Sequence, residues 1–150
     1  MKKRCVEIIV RGVCVVDGAL LVCRSRGATN TFLPGGHLEF GESARSALTR
    51  ELVEEMGKDS CAGTFLGAVE HTFVQKGEPH CEVNLVFSLE IPGIAPSAAP
   101  ASCESQLSFQ WVPLGEMAEA QVEPAPLVSL VPEWVAMDGG GAERWGSTFG

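Results

Sequence analysis

Glu51, Glu54 and Glu55 recur at helical spacing, with Arg50 directly before them and a Gly35-Gly36 pair upstream. At about 100° of rotation per residue the three carboxylates fall within an arc of roughly 100°, while Leu48, Leu52 and Met56 point to an adjacent side. Carboxylates this close repel one another unless a cation sits among them. Arg50 supplies one positive charge, and a metal ion would supply more. Hard oxygen donors suit Mg²⁺, which keeps several waters and needs only a few carboxylates plus substrate oxygens; Mn²⁺ favours the same donors. An ion held in this way neutralises phosphate oxygens and activates water, as cleavage of a phosphoanhydride requires. Gly35 and Gly36 allow the backbone to approach the helix closely enough for a main-chain carbonyl to join the ligands.

The elements that must position these groups are legible around them. Glu42 or Ser43 can cap a helix that runs to about Met56, and Gly57 is the expected left-handed terminator. Residues 5–16 are rich in β-branched types and are separated from ALLVC at 19–23 by Asp17-Gly18, a hairpin signal. Residues 24–34 read as polar and irregular, and Pro34 cannot continue a central strand, so a loop is expected to lead into the glycines. Residues 64–74 and 81–91 read as a strand pair, residues 92–103 as a surface loop, and 107–112 as a short strand. Leu127 to Met137 suits a second helix despite Pro132. From Asp138 the glycine-rich sequence lacks periodicity, so a domain at 1–137 followed by a mobile tail at 138–150 is expected.

A chain of 150 residues with 45% hydrophobic content fits one domain with a sizeable core. Its formal net charge of −8 disfavours an unaided grip on nucleic acid polymer or anionic membrane. Met1-Lys2-Lys3-Arg4 resembles the start of a signal peptide, but Glu7 and Arg11 interrupt the apolar run after it and no cleavage pattern appears. A cytoplasmic protein is expected. The six cysteines lack metal or redox spacing, and Cys5, Cys14 and Cys23 read as reduced core thiols.

The spacing itself is specific. Gly36, five residues, Glu42, seven residues, Arg50-Glu51-Leu52, one residue, Glu54-Glu55, one residue and Gly57 resembles the signature of the Nudix hydrolase family. Lys58 departs from the pattern, which usually ends in an aliphatic residue. The likeness extends over residues 5–137, through the opening hairpin, Phe32-Leu33-Pro34 and Trp111-Val112-Pro113-Leu114. It implies an α/β fold, an α/β/α sandwich with a mixed central sheet. It also implies that Glu54 and Glu55 are metal ligands, that the Gly36 carbonyl adds another, and that Glu51 is a ligand or the general base. Arg50 would orient the glutamates, and Glu42 would brace the loop against the helix. The family's base varies, so Glu51 and Glu54 stand as joint candidates with Glu104 as a contender from a loop.

Around this core, Arg24 and Arg26 are placed to grip phosphate or to be solvated strand-end residues. Phe32 either stacks on a base or packs, and His37 either bonds a phosphate or a signature carboxylate or is a loop residue. The resemblance implies a Mg²⁺- or Mn²⁺-dependent hydrolase acting on a small-molecule nucleotide, a nucleoside diphosphate linked to another group. A proline typical of ADP-ribose-directed members is missing where this chain has His71-Thr72-Phe73. The tyrosine of diadenosine-polyphosphate members is missing too, since the chain has no tyrosine. Nucleoside triphosphates are therefore mildly favoured, with nucleotide sugars such as ADP-ribose as the alternative. A non-catalytic nucleotide-sensing or protein-binding domain is the reading from another class. A homodimer is possible for such a chain.

Overall fold

The β-branched run that opens the chain breaks at Cys14, and its two halves enter different sheets. A computed structural model describes residues 3–138 and 143–150. Its elements are β1 (Glu7–Val13), β2 (Val15–Val16), β3 (Ala19–Ser25), β4 (Thr31–Phe32), β5 (Gly35–His37), α1 (Ala44–Met56) and β6 (Cys61–Gln75). They continue with β7 (Glu78–Glu90), β8 (Leu107–Pro113), β9 (Val122–Glu123), α2 (Leu127–Ala136) and β10 (Trp145–Ser147).

The expected hairpin is confined to β2 and β3, joined by Asp17 and Gly18, both with positive φ as a tight two-residue turn requires. β1 instead runs between β7, to which it is parallel, and β5, to which it is antiparallel. The first sheet has the order β10-β6-β7-β1-β5 and mixes parallel and antiparallel pairs, giving the mixed central sheet of the expected α/β fold. A second sheet, β2-β3-β4-β9 with β8 also on β3, lies beside it. Two cores result. Val10, Leu21, Cys23, Phe87 and Phe109 pack against Leu48, Leu52 and Met56 of α1. Leu20, Val22, Val69, Val86 and Val112 pack against Leu127, Val131 and Trp134 of α2. Each sheet thus contributes one face to each helix, as strand alternation allows.

The signature helix forms where its caps predict. Ser43 Oγ accepts from the Ser46 N–H at 3.1 Å, and Gly57 takes the left-handed conformation at φ 70°. The paired β6 and β7 also match expectation, and Pro132 is accommodated inside α2.

Three expectations are corrected. Residues 24–34 are less irregular than their polarity suggests, since β3 continues to Ser25, Thr31–Phe32 form β4 and Gly35–His37 form β5 on the edge of β1. Cys5 is exposed ahead of β1, whereas Cys14 and Cys23 are buried free thiols. Residues 139–142 of the expected tail lie outside the described residues, but the segment beyond them docks. Trp145–Ser147 pair in parallel with Ala68–Glu70 of β6, and the buried Trp134 indole donates to the Glu143 carbonyl at 2.7 Å. A buried indole N–H needs such an acceptor, which ties the segment to α2.

Hydrogen exchange tests this docking. The Ala68 amide, bonded to the Arg144 carbonyl, and the Thr148 amide, bonded to the Glu70 carbonyl, should exchange far more slowly than random-coil amides. Random-coil rates at both positions would show a free tail.

Candidate active site

β5 carries Gly36 toward α1 and turns His37 to the opposite face of the sheet. A Cβ at Gly36 would strike the Glu51 carboxylate, so a larger residue at this point would have to displace that side chain from its place beside Arg50. The Gly35 N–H lies near the carboxylate of Glu55 and favours its charged form. Sequence spacing and sheet pairing thus converge on one acidic surface.

Arg50 organises that surface. Its Nε and one Nη2 hydrogen donate to the two oxygens of Glu42, at 3.1 and 2.7 Å. Nη1 donates to Glu51 Oε1 and to Glu54 Oε1, each at 3.1 Å, and Nη2 also donates to the His37 carbonyl at 3.0 Å. A guanidinium has five N–H donors, and here each has a partner. The Arg50 hydrogen bond is the main cause that holds Glu42 below the usual carboxylate range.

Burial acts in the other direction on the inner carboxylates. It raises Glu51, and the neighbouring Glu54 charge raises it further, while Arg50 opposes both. Glu55 is 5% exposed, and burial pushes its carboxyl up to about 8; the charge of Arg11 and the Gly35 N–H pull against that rise, and Glu51 and Glu104 add to it. One oxygen of Glu55, Oε2, is buried without a hydrogen-bond partner. A buried carboxylate oxygen left unpaired is costly, and a hard cation is the partner its chemistry suits. The donor set of Glu51, Glu54, Glu55 and the Gly36 carbonyl therefore fits a divalent ion. Among the described residues no three His, Cys, Asp or Glu side chains converge as a ready-made cage, and Arg50 holds the cationic place between Glu51 and Glu54.

Glu104 joins from another element. The carbonyl of Glu55 accepts from the Cys103 N–H at 2.8 Å, which fixes the loop at the end of α1. From there the Glu104 charge acts on both Glu51 and Glu55.

A family model of the NUDIX domain matches residues 6–131. The chain belongs to the Nudix family. Among solved structures, the MutT protein from Methanosarcina mazei Go1 is similar at 21% identity and TM-score 0.67, covering 92% of this chain and 99% of the other. The E. coli ORF135 protein is similar at 21% identity and TM-score 0.62, covering 90% and 92%. An ADP-ribose pyrophosphatase from Streptococcus suis is similar at 14% identity and TM-score 0.63, covering 94% and 96%. These likenesses establish the Nudix fold. Nudix hydrolases are pyrophosphohydrolases that act on small nucleotides and in general need a divalent metal.

Within this Nudix domain Gly36, Arg50, Glu51, Glu54, Glu55 and Glu104 are brought together. Other expected site residues are not. The His37 ring bonds Glu7 Oε1 at 2.8 Å and no signature carboxylate; its carbonyl, through Arg50, is what serves the cluster. Arg24 leaves β3 on the face opposite Cys23, the residue that feels Glu55, and its Nε is buried without a partner. Arg26 lies in a groove with Ser105–Ser108. Phe32 packs against the α1 core with the Arg11 guanidinium over its ring, 5.3 Å from the centroid. Arg11 is the residue that motif reading missed. The signal was there, a charge in the middle of an apolar β-branched run.

The raised Glu55 carboxyl gives a pH signature. Near pH 7 the folded, metal-free chain holds a proton on Glu55 that an unfolded carboxyl has released. Its contribution to stability is therefore present at acidic pH and is lost as pH rises from the ordinary carboxylate range through about 8. If Glu55 is a ligand, Mn²⁺ would have to displace this proton, so calorimetry in two buffers of different ionisation enthalpy should show release of about one proton at pH 7 and little at pH 9.5. Glu55→Gln should bind without that release. Equal release by the variant would contradict the assignment.

Proposed function

We propose that the chain hydrolyses the pyrophosphate linkage of a nucleoside diphosphate joined to another group, with nucleoside triphosphates favoured. The reading is carried by one observation, a buried carboxylate oxygen without a partner inside a cluster that an arginine with every donor engaged holds in place. Glu51, Glu54, Glu55 and the Gly36 carbonyl would hold Mg²⁺ or Mn²⁺. When bound, the ion neutralises phosphate oxygens and lowers the pKa of water.

The chain's own residues do the rest. Arg50 keeps Glu51 and Glu54 at fixed separation and opposes their repulsion. The Glu54 side chain, 51% exposed, faces the solvent from which water arrives, and it accepts the proton as the water oxygen attacks phosphorus. Glu104 is the second acceptor in reach of the cluster's field. The P–O anhydride bond breaks with its electron pair on the bridging oxygen of the departing group. A nucleoside triphosphate yields the monophosphate and pyrophosphate. Nucleotide sugars remain the second substrate class, supported by the fold shared with a protein named an ADP-ribose pyrophosphatase.

A hydrolysis screen of nucleoside triphosphates, nucleotide sugars, dinucleoside polyphosphates and dinucleotide cofactors, in Mg²⁺ and in Mn²⁺, ranks these classes. Glu54→Gln should melt like the parent chain yet lose about 10²- to 10⁴-fold in kcat, the scale of a positioned acid or base. Glu104→Gln should lose less. Unchanged turnover in Glu54→Gln would remove Glu54 from the chemistry, and tight nucleotide binding without any product would favour a non-catalytic domain.

A further inference from the structure

Arg11 contrasts with Arg50. It sits in the middle of β1, in register with Gly35 of β5 and Val86 of β7, next to Val10, which is completely buried. Its Nη1 donates to the Leu33 carbonyl at 2.9 Å and its Nε to Asn84 Oδ1 at 3.5 Å. The other three N–H groups make no hydrogen bond among the described residues. No carboxylate among those residues lies within ion-pair distance of it. The side chain is partly exposed.

Its surroundings link β1 to the edge of the second sheet. The guanidinium lies over the ring of Phe32, and Phe32 pairs in register with Glu123 of β9. Parallel partners in register project on one face, so the Glu123 carboxylate stands next to that ring. Glu123 accepts from Asn30 Nδ2 at 3.3 Å and keeps further acceptor capacity. The charges of Arg11 and Glu123 both act on His71, and that of Arg11 also acts on Glu55. Arg11 and Glu123 therefore both flank the Phe32 ring, one over its face and one beside it on the neighbouring strand.

A scaffolding role explains two of the five donors. Leu33 precedes Pro34 and its carbonyl needs a partner, but a lysine ammonium could meet that need. The planar fork with an open edge suits a planar ligand with two adjacent acceptors.

We propose that Arg11 reads the nucleobase: its free guanidinium edge donates to two adjacent acceptors on the base, and Glu123 accepts from the base's amino group. Guanine offers O6 beside N7, and cytosine offers O2 beside N3, each with an exocyclic amino group elsewhere on the ring. Adenine places an amino donor beside N7, and uracil places an N–H between its two carbonyls. Guanine and cytosine nucleotides are thus preferred over adenine and uracil nucleotides. The inference rests on the nucleotide reading above and assigns the base class to that site.

Calorimetry with the α,β-methylene triphosphates of the four nucleosides in Mg²⁺ reads base preference without turnover, and kcat/KM for the natural triphosphates reads it with turnover. The parent chain should favour the guanine and cytosine nucleotides by about 10-fold or more, the scale of one bidentate pair. Arg11→Lys, which keeps the charge and a donor for Leu33, should melt close to the parent and narrow the preference to within about threefold; Arg11→Gln should do the same. No base preference in the parent chain, no binding of any analogue, or an equal loss for all four bases in a folded Arg11→Lys would overturn the proposal. Guanine-selective binding without hydrolysis would sink the hydrolase reading and leave this one standing. Hydrolysis with no base ranking would do the reverse.

Discussion

The structure depends on a single guanidinium whose five N–H groups are all engaged. Arg50 ties Glu42 in the loop, the His37 carbonyl of β5, and Glu51 and Glu54 of α1 into one unit. Removing it would leave carboxylates facing one another with no local counter-charge, and each would seek protonation or separation. A lysine could not substitute, because a point charge with three donors cannot hold a bidentate carboxylate, two further carboxylates and a carbonyl at once. The glycine turn, the strand register and the helix phase all have to be right for this one side chain to reach every partner.

Around that clamp, burial and charge are set against each other. Glu55 is buried beside the loop bonded to its carbonyl; burial raises its carboxyl against the pull of Arg11 and the Gly35 N–H, and one oxygen is left unpaired. Such a group is unfavourable in isolation and useful beside a cation. The same opposition explains why the acidic surface does not close into a cage by itself. Arg50 occupies the cationic place among the outer carboxylates and leaves the innermost oxygen available. Arg11, whose charge also acts on Glu55, repeats the theme with the opposite outcome, since three of its five donors make no hydrogen bond among the described residues.

How much of the molecule was legible in the sequence depends on which interactions are local. α1 was legible because its caps, its apolar stripe and its carboxylates all obey one helical period within 15 residues, from Glu42 to Met56. The Asp17-Gly18 turn and the β6–β7 pair were legible for the same reason, as alternation and turn chemistry act over short range. β5 was not legible, because Gly35-Gly36-His37 has no strand propensity and becomes a strand only through β1. The division of the first run at Cys14 and the docking of Trp145–Ser147 on β6 are likewise settled by distant partners. The motif named the carboxylates and Arg50, but it could not show that His37 turns to Glu7 or that Cys103 anchors Glu104 to the end of the helix.

The most direct test of the account is anomalous diffraction from crystals grown with Mn²⁺. The carboxylate cluster should show a peak within about 2.2 Å of Glu55 Oε2, sharing ligands with Glu51 and the Gly36 carbonyl. A peak elsewhere on the molecule, or none at the cluster while Glu55 Oε2 stays unpaired, would contradict the view that this carboxylate surface is built around a divalent cation.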